Sequence, residues 1–353
     1  MAKRNGTNNS DQGQPATSVE VARLAGVSQS TVSRAFSAGA KVSGATLRRV
    51  HEAAQKLGYK PNALASSLIT RRTNMIGVVM AEINSPFYPY VLEKFTQQLH
   101  DLGRQVLLFS TGPGKDVDDL MPDVMRYKVD GLIIANAILG SALVEECARM
   151  EMPLLLFNRF VRGANVSAVS CDNLVGGRLV ADALLDAGHR RLAYIAGKVN
   201  TSTNLDREQG FAERLRERGY GTWLREQGDY TYESGFAAAQ RLLERSDRPD
   251  AIFCANDITA LGALDAARQA RIAVPDELSI IGFDDIPAAS WGAYSLTTVR
   301  QPVEAMIDLS VRALLERIET PGLPPISAFV PGRLIRRASA RLSHAHRGGP
   351  LQP

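Results

Sequence analysis

The sequence predicts an α/β protein: a small all-α helix-turn-helix head followed by two doubly wound parallel-sheet lobes. Three observations carry this expectation. Residues 18–58 hold three short helical patterns, the first two joined by the tight turn Leu24-Ala25-Gly26-Val27. From Met75 onward, seven apolar runs alternate with segments of helical spacing, the signature of a parallel sheet covered on both faces. Charge divides at the same place. Residues 1–72 carry eleven Lys and Arg against three acids, a net of +8, whereas the other 281 residues sum to −4. A basic head attracts phosphates and releases counterions, so its binding should weaken with salt.

The head begins with a capping box, Thr17-Ser18-Val19-Glu20. The Thr hydroxyl accepts from the Glu amide while the carboxylate reaches back. Val21, Leu24 and Ala25 form an apolar stripe, and Gly26 stands where the chain must turn sharply. Ser28 can cap the second helix, whose Val32 and Phe36 face inward. That leaves Gln29, Ser30, Thr31, Ser33 and Arg34 with polar groups suited to base edges and phosphates. The third helix starts at Ser43, runs Leu47, Val50, Ala54, Leu57 on one buried face, and stops at Gly58. Pro61 then breaks the chain, and Asn62 can cap a helix of about two turns, a length that is marginal in water without a template.

In the body, the strand-like runs are 75–80, 105–110, 131–135, 153–157, 191–197, 251–255 and 278–283. Seven are many for one sheet, and a polar break near Val161–Val175 suggests two. Two such lobes place a cleft between the carboxyl ends of their strands. Polar and aromatic residues gather there: Phe87-Tyr88, Asn158-Arg159, Arg207 in a turn entering a helix, Tyr230, Asn256-Asp257 and Asp284-Asp285. Such a set suits a polyhydroxylated ligand, and Arg159 beside Arg207 hints at an acid-bearing one. Plainer readings stand beside this. Asp257 can be a helix cap, Asp285 can close a turn, Arg207 and Asp284 can be a structural ion pair, and Phe87 and Tyr88 can be core or dimer-interface residues.

The order SVEVARLAGVSQSTVSR, VSGATLRRV and LGYKPNALASSL resembles the lactose/galactose repressor family of bacterial transcription regulators, and the likeness runs through about residues 18–335. It implies a recognition helix starting at Ser28, with Gln29 and Ser30 choosing the operator and Thr31, Ser33 and Arg34 in support. It implies a hinge helix at 62–68, in which Asn62 and Ala65 lie at the DNA and Leu68 wedges into a base step from the minor groove. Ser66 departs from the basic residue that many members carry there. The body would have the fold of periplasmic sugar-binding proteins, with Phe87, Tyr88, Asn158, Arg159, Arg207, Tyr230, Asn256 and Asp284 at the effector. The implied domains are a disordered basic tail (1–17), the helix-turn-helix (18–61), hinge and linker (62–73), a two-lobe effector and dimerisation domain (74–337) and a disordered tail (338–353). The lobes would comprise about 74–170 with 300–327, and 171–299 with 328–337.

Other classes find little support. His51-Glu52-Ala53-Ala54-Gln55 lacks the second histidine of a zinc-protease helix, Gly112-Pro113-Gly114-Lys115 lacks a phosphate loop's other residues, and no G-x-S-x-G turn occurs. The five His have no metal spacing, and Cys147, Cys171 and Cys254 read as buried reduced thiols. No cofactor, metal or membrane span is expected. The polar N-terminus lacks a signal-peptide core. The expected protein is a cytoplasmic, non-enzymatic repressor. Its partners are pseudo-palindromic double-stranded operator DNA, a small sugar or sugar-acid effector and a second copy of itself. A corepressor-dependent or activating relative, a periplasmic-type sugar-binding protein and an enzyme bearing a DNA-binding head are the alternatives.

Overall fold

The structure is a computed structural model, and it describes residues 16–36, 42–60, 72–81, 85–111, 117–135 and 141–343. The chain divides into two compact units, residues 1–73 and 74–353. The hinge expectations at Asn62, Ala65, Ser66 and Leu68 lie outside the described residues.

In the first unit, α1 (Ser18–Ala25), α2 (Gln29–Ala35) and α3 (Gly44–Leu57) enclose a core of Val21, Val32 and Val50 with Ala22, Ala25, Ala35, Ala53 and Ala54. The capping box forms as expected: Glu20 N donates to Thr17 Oγ1 at 3.4 Å and Thr17 N donates to the Glu20 carboxylate at 2.7 Å. Gly26 turns the chain at φ 63°, where a side chain would be strained. Phe36 packs between His51 and Tyr59, with ring centroids 4.9 and 5.9 Å away. The expected apolar faces need correction. Leu24 is 52% exposed, and Leu47 and Leu57 are 37% exposed. Val and Ala occupy the contacts instead, and such small side chains let the helices approach closely.

The second unit contains two six-stranded sheets. The first has the order β11-β5-β4-β3-β1-β2, built from β1 (Met75–Ala81), β2 (Gln105–Thr111), β3 (Gly131–Ala135), β4 (Leu154–Phe157), β5 (Ser167–Cys171) and β11 (Ser327–Val330). The second has the order β12-β10-β9-β8-β6-β7, from β6 (Leu192–Ile195), β7 (Leu224–Glu226), β8 (Ala251–Cys254), β9 (Ser279–Asp284), β10 (Thr297–Arg300) and β12 (Arg333–Ile335). Every pairing is parallel except β10 with β12. The first lobe carries α4 (Phe87–Asp101), α5 (Met121–Tyr127), α6 (Ser141–Arg149) and α11 (Val303–Glu319). The second carries α7 (Asn173–Asp186), α8 (Ser202–Glu217), α9 (Tyr232–Leu243) and α10 (Asp257–Gln269).

All seven expected strands form, and among the described residues five more join them. The presumed break at 161–175 contains β5, whose serines are buried but bonded: Ser167 Oγ accepts from Ile326 N at 3.3 Å. The lobe boundary also shifts. Residues 328–330 pair with β5 in the first sheet, so the chain re-enters the second lobe after Pro331-Gly332. The expected tail is ordered through Ser343. Ser339 Oγ donates to Ile280 O at 2.6 Å and accepts from Thr297 N at 2.8 Å, and Ser339 and Ala340 are buried.

Helices α7 and α8 of the second lobe pack through glycine on both sides. A Cβ on Gly177 of α7 would lie 2.3 Å from Arg207 O of α8, and one on Gly210 would lie 2.1 Å from Leu174 O. Backbone thus meets backbone, and this contact fixes where α8 presents Arg207.

Candidate nucleic-acid interface and ligand cleft

In the head, Ser28 caps α2, with its Oγ accepting from Thr31 N at 3.2 Å. Ser28, Gln29, Ser30 and Arg34 are exposed, and Thr31 and Ser33 are half-buried. Their side chains are held by local bonds. Gln29 Nε2 donates to Ser18 Oγ at 3.0 Å, and Arg34 donates to Ser30 O and Thr31 Oγ1, both at 3.3 Å. Exposed and weakly held polar groups on one short helix can exchange those partners for base edges and phosphates at little cost.

In the second unit, the predicted residues converge where the strands of both lobes end. Arg207 is only 2% exposed and is fully engaged. Nε donates to Asn173 Oδ1 at 2.8 Å, one terminal nitrogen donates to Ala255 O at 2.5 Å, and the other approaches Asp284 Oδ1 at 3.4 Å. Its guanidinium lies 3.7 Å from the centre of the Phe283 ring. Arg207 sits inside α8 rather than in a turn, a correction to the sequence reading. Asp284 stands in a left-handed backbone conformation at φ 124° and also accepts from Gln301 Nε2 at 2.7 Å. The ion pair predicted from sequence is therefore present, and it is buried inside the cleft.

Asn158, immediately after β4 and at φ 57°, donates to Tyr88 OH at 3.5 Å. Its Oδ1 is buried and has no donor among the described residues. Burial pushes the Tyr88 hydroxyl up to about 12, so it remains a neutral donor. Arg159 reaches across to the second lobe, donating to Thr203 Oγ1, and its guanidinium lies 5.8 Å from the Tyr230 ring. Tyr230 OH lies 3.1 Å from Thr203 Oγ1. Two further links join the lobes here: Phe160 N donates to Ser202 Oγ at 3.3 Å, and Arg162 pairs with Asp206 at 2.8 Å. Phe87 packs against Tyr88, ring centroids 5.3 Å apart.

Asn256 and Asp257 divide roles differently from expectation. Asn256 is the N-cap of α10, its Oδ1 accepting from Thr259 N at 3.0 Å. Asp257 ties β9 and β10 to that helix, accepting from Ile286 N at 2.9 Å and from Thr298 Oγ1 at 2.5 Å. Burial and then the neighbouring Asp284 charge raise the Asp257 carboxyl to about 7. Asp285 does more than close a turn, since Arg300 and Arg337 both pair with it. Sequence reasoning missed Asn173, Asn204, Thr203 and Gln301, all nearly fully buried. Asn204 Oδ1 accepts from Gly197 N at 2.7 Å and Tyr194 OH at 3.0 Å, bracing the loop after β6. Polar residues inside helical or strand-end apolar stretches were the available signal.

The three cysteines are free and buried. Burial pushes the Cys147 thiol up to about 11 and that of Cys171 to about 12, which keeps both protonated and unreactive. Among the described residues, no group of His, Cys, Asp and Glu is arranged to hold a metal, and no helix is long and apolar enough to cross a membrane.

A basic helix-turn-helix unit and a two-lobed unit with a buried polar cleft, in one chain, define a DNA-binding regulator with a ligand-sensing core. Comparison with known proteins gives the family. Residues 19–62 match the bacterial regulatory proteins of the lacI family, and residues 181–340 match the periplasmic binding protein-like domain. The chain is 34% identical to the HTH-type transcriptional regulator CelR of Thermobifida fusca, over 90% of this chain and 96% of that one. It is 33% identical to the ribose operon repressor of Haemophilus influenzae, over 87% and 93%. Among solved structures, it is similar to the CelR–cellobiose complex (TM-score 0.71, 32% identity, 92% and 100% coverage). It is also similar to the lac repressor dimer bound to operator and the anti-inducer ONPF (TM-score 0.83, 26% identity, 94% and 100% coverage). The chain belongs to the lacI family and is a DNA-binding transcription regulator.

Proposed function

We propose that this regulator is a repressor that binds a pseudo-palindromic operator as a homodimer and is controlled by a sugar or sugar acid held between its lobes. Ser28, Gln29, Ser30, Thr31, Ser33 and Arg34 meet the major groove, and Asn62, Ala65 and Leu68 meet the minor groove. Phe87, Tyr88, Asn158, Arg159, Arg207, Tyr230, Asn256 and Asp284 surround the effector. The domain limits follow the expected ones, with the first lobe extended through Val330 and the second through Ser343. The protein works in the cytoplasm and performs no chemistry on its ligand.

The observation that carries the cleft reading is the buried Asn158 Oδ1 at the strand ends between the lobes, without a donor among the described residues. An unsatisfied buried acceptor costs about 1–3 kcal/mol, and a ligand hydroxyl there would recover it. Tyr88 and Tyr230 offer ring faces for C–H surface, and Arg207 with Asp284 offers paired donors and acceptors for adjacent hydroxyls. The relatives add support, since CelR is solved with cellobiose and others are named ribose operon repressors. Ligand binding that changes the lobe angle would change operator affinity through the hinge, a coupling of two sites.

The test is thermal melting of the full chain against a panel of hexoses, pentoses, disaccharides and sugar acids. A ligand at about 100 times its Kd stabilises by about 2.7 kcal/mol, enough to raise Tm by several degrees. At least one polyol should do so, and Asn158→Leu should abolish the shift. A panel without any shift, or a shift unchanged in Asn158→Leu, overturns the reading.

A further inference from the structure

We infer that the chain carries a second ligand site, against segments that cross between the lobes, that takes a small hydroxylated oxyanion. A cavity of about 1170 Å3 opens there. Its walls come from both lobes and from two of the segments that cross between them, with Phe87 and Tyr90 on one side and residues 300–304 and 331–337 on the other. Arg300, Arg333, Arg336 and Arg337 all line it.

The arginines are placed at an electrostatic cost. Arg300 of β10 and Arg333 of β12 are direct register partners in the antiparallel pair, so two cations face each other on one sheet surface. Like charges so placed destabilise a sheet. The nearby carboxylates do not balance them. Asp285 is shared between Arg300 and Arg337, Asp284 is engaged by Arg207 and Gln301, and Glu304 accepts from Tyr90 OH. Arg336 donates to a backbone carbonyl, Ser343 O. The wall thus keeps positive charge, most of it at Arg333 and Arg336, and a bound oxyanion would neutralise it with charge-assisted bonds.

A second feature borders the same cavity. Gln301 is 2% exposed and lines it. Its Nε2 is committed to Asp284, which fixes the amide orientation, and its Oε1 has no donor among the described residues. A buried acceptor beside a cationic wall calls for a ligand that brings a hydroxyl as well as negative charge. An occupant would touch both crossover segments, so it would bias the angle between the lobes and alter affinity in the cleft, reciprocally. The cavity adjoins the proposed effector cleft, with Phe87 and Asp284 bordering both, but anion binding does not require that the cleft take a sugar.

The probes are citrate, a hydroxylated tricarboxylate, and glycerol 3-phosphate, with glycerol as the neutral control, titrated calorimetrically into the full chain at low salt. Saturable binding of at least one anion, and none of glycerol, is expected; which one binds tells carboxylate from phosphate recognition. Arg333→Glu should weaken that binding at least tenfold without lowering Tm, since it sets an opposite charge against Arg300; Arg333→Lys should retain most of it, and Arg245→Glu, a remote surface change, should leave it intact. Asn158→Leu should leave it within about twofold. Binding of neither anion, equal affinity in Arg333→Glu, or equal weakening by Arg245→Glu overturns the site. Loss in Asn158→Leu also overturns it, by placing the anion in the cleft, whereas failure of the sugar panel alone leaves it standing.

Discussion

The head and the cleft use the same side chains, Arg with Asn or Gln and Ser or Thr, in opposite physical states. On α2 they are exposed or half-buried and tied by local bonds, as in Arg34 to Ser30 and Thr31. In the cleft they are buried and cross-linked over long sequence distances, as in Arg207 to Asn173, Ala255 and Asp284. An exposed group that reads a large external partner needs freedom to change its bonds. A buried group that reads a small molecule must be held in place beforehand, because it has no water to fall back on. Substitution should therefore separate binding from stability in the head and join them in the cleft.

The largest contrast should appear between the two arginines. Arg207→Ala leaves Asp284 buried without its cation and Asn173 Oδ1 without its donor, so a loss of about 3–5 kcal/mol is expected. Arg34→Ala should change stability by no more than about 0.5 kcal/mol, as surface substitutions do. Urea unfolding followed by fluorescence reports the body directly, since Trp223 and Trp291 are the only tryptophans, and circular dichroism covers the head. Equal effects would erase the comparison. Next in size, Gly177→Ala pushes a methyl against Arg207 O and should cost about 1–3 kcal/mol by overpacking. It should also weaken ligand binding, because Arg207 rides on the displaced helix. A variant as stable as the parent would show that α7 and α8 can separate freely.

A smaller effect is expected from pH. Asp257 is raised to about 7 by burial and Asp284, against about 3.9 in an unfolded chain. Between those values the folded chain holds a proton that the unfolded chain has released. Stability should therefore fall as pH rises from about 4 to 7, by up to about 1.4 kcal/mol per pH unit for one proton. Asp257→Asn should flatten that slope in urea unfolding at several pH values. A slope that persists unchanged in the variant would mean the buried acid is not its source.

Much of this was legible in the sequence, for identifiable reasons. The capping box, the Gly26 turn and the seven apolar strands depend on local propensity and periodicity, and all formed. The cleft's principal residues sit where strands end, which periodicity also locates. What stayed hidden was set by tertiary context. Leu24, Leu47 and Leu57 looked like core, but close helix packing selected Ala and Val. Strand β5, with its two serines, looked polar until Ile326 and Asn173 supplied its hydrogen bonds. Asn204, Gln301 and Asn173 have no local pattern of their own, and their partners lie up to dozens of residues away. Ser339, in an apparently loose tail, is buried only because β9 and β10 offer it backbone partners.

The most direct test sets Arg34→Ala beside Asp284→Asn in the full chain. An operator selected from a random DNA pool and the most stabilising sugar from the melting panel serve as the two ligands. Operator affinity by fluorescence anisotropy at fixed salt, and sugar-induced Tm shift, are measured for both. Arg34→Ala should lose at least tenfold in operator affinity and keep the sugar shift, while Asp284→Asn should keep operator affinity and lose the shift. Two folded variants that lose both properties together, or that show the reverse pattern, would contradict a head that reads DNA and a cleft that senses the ligand.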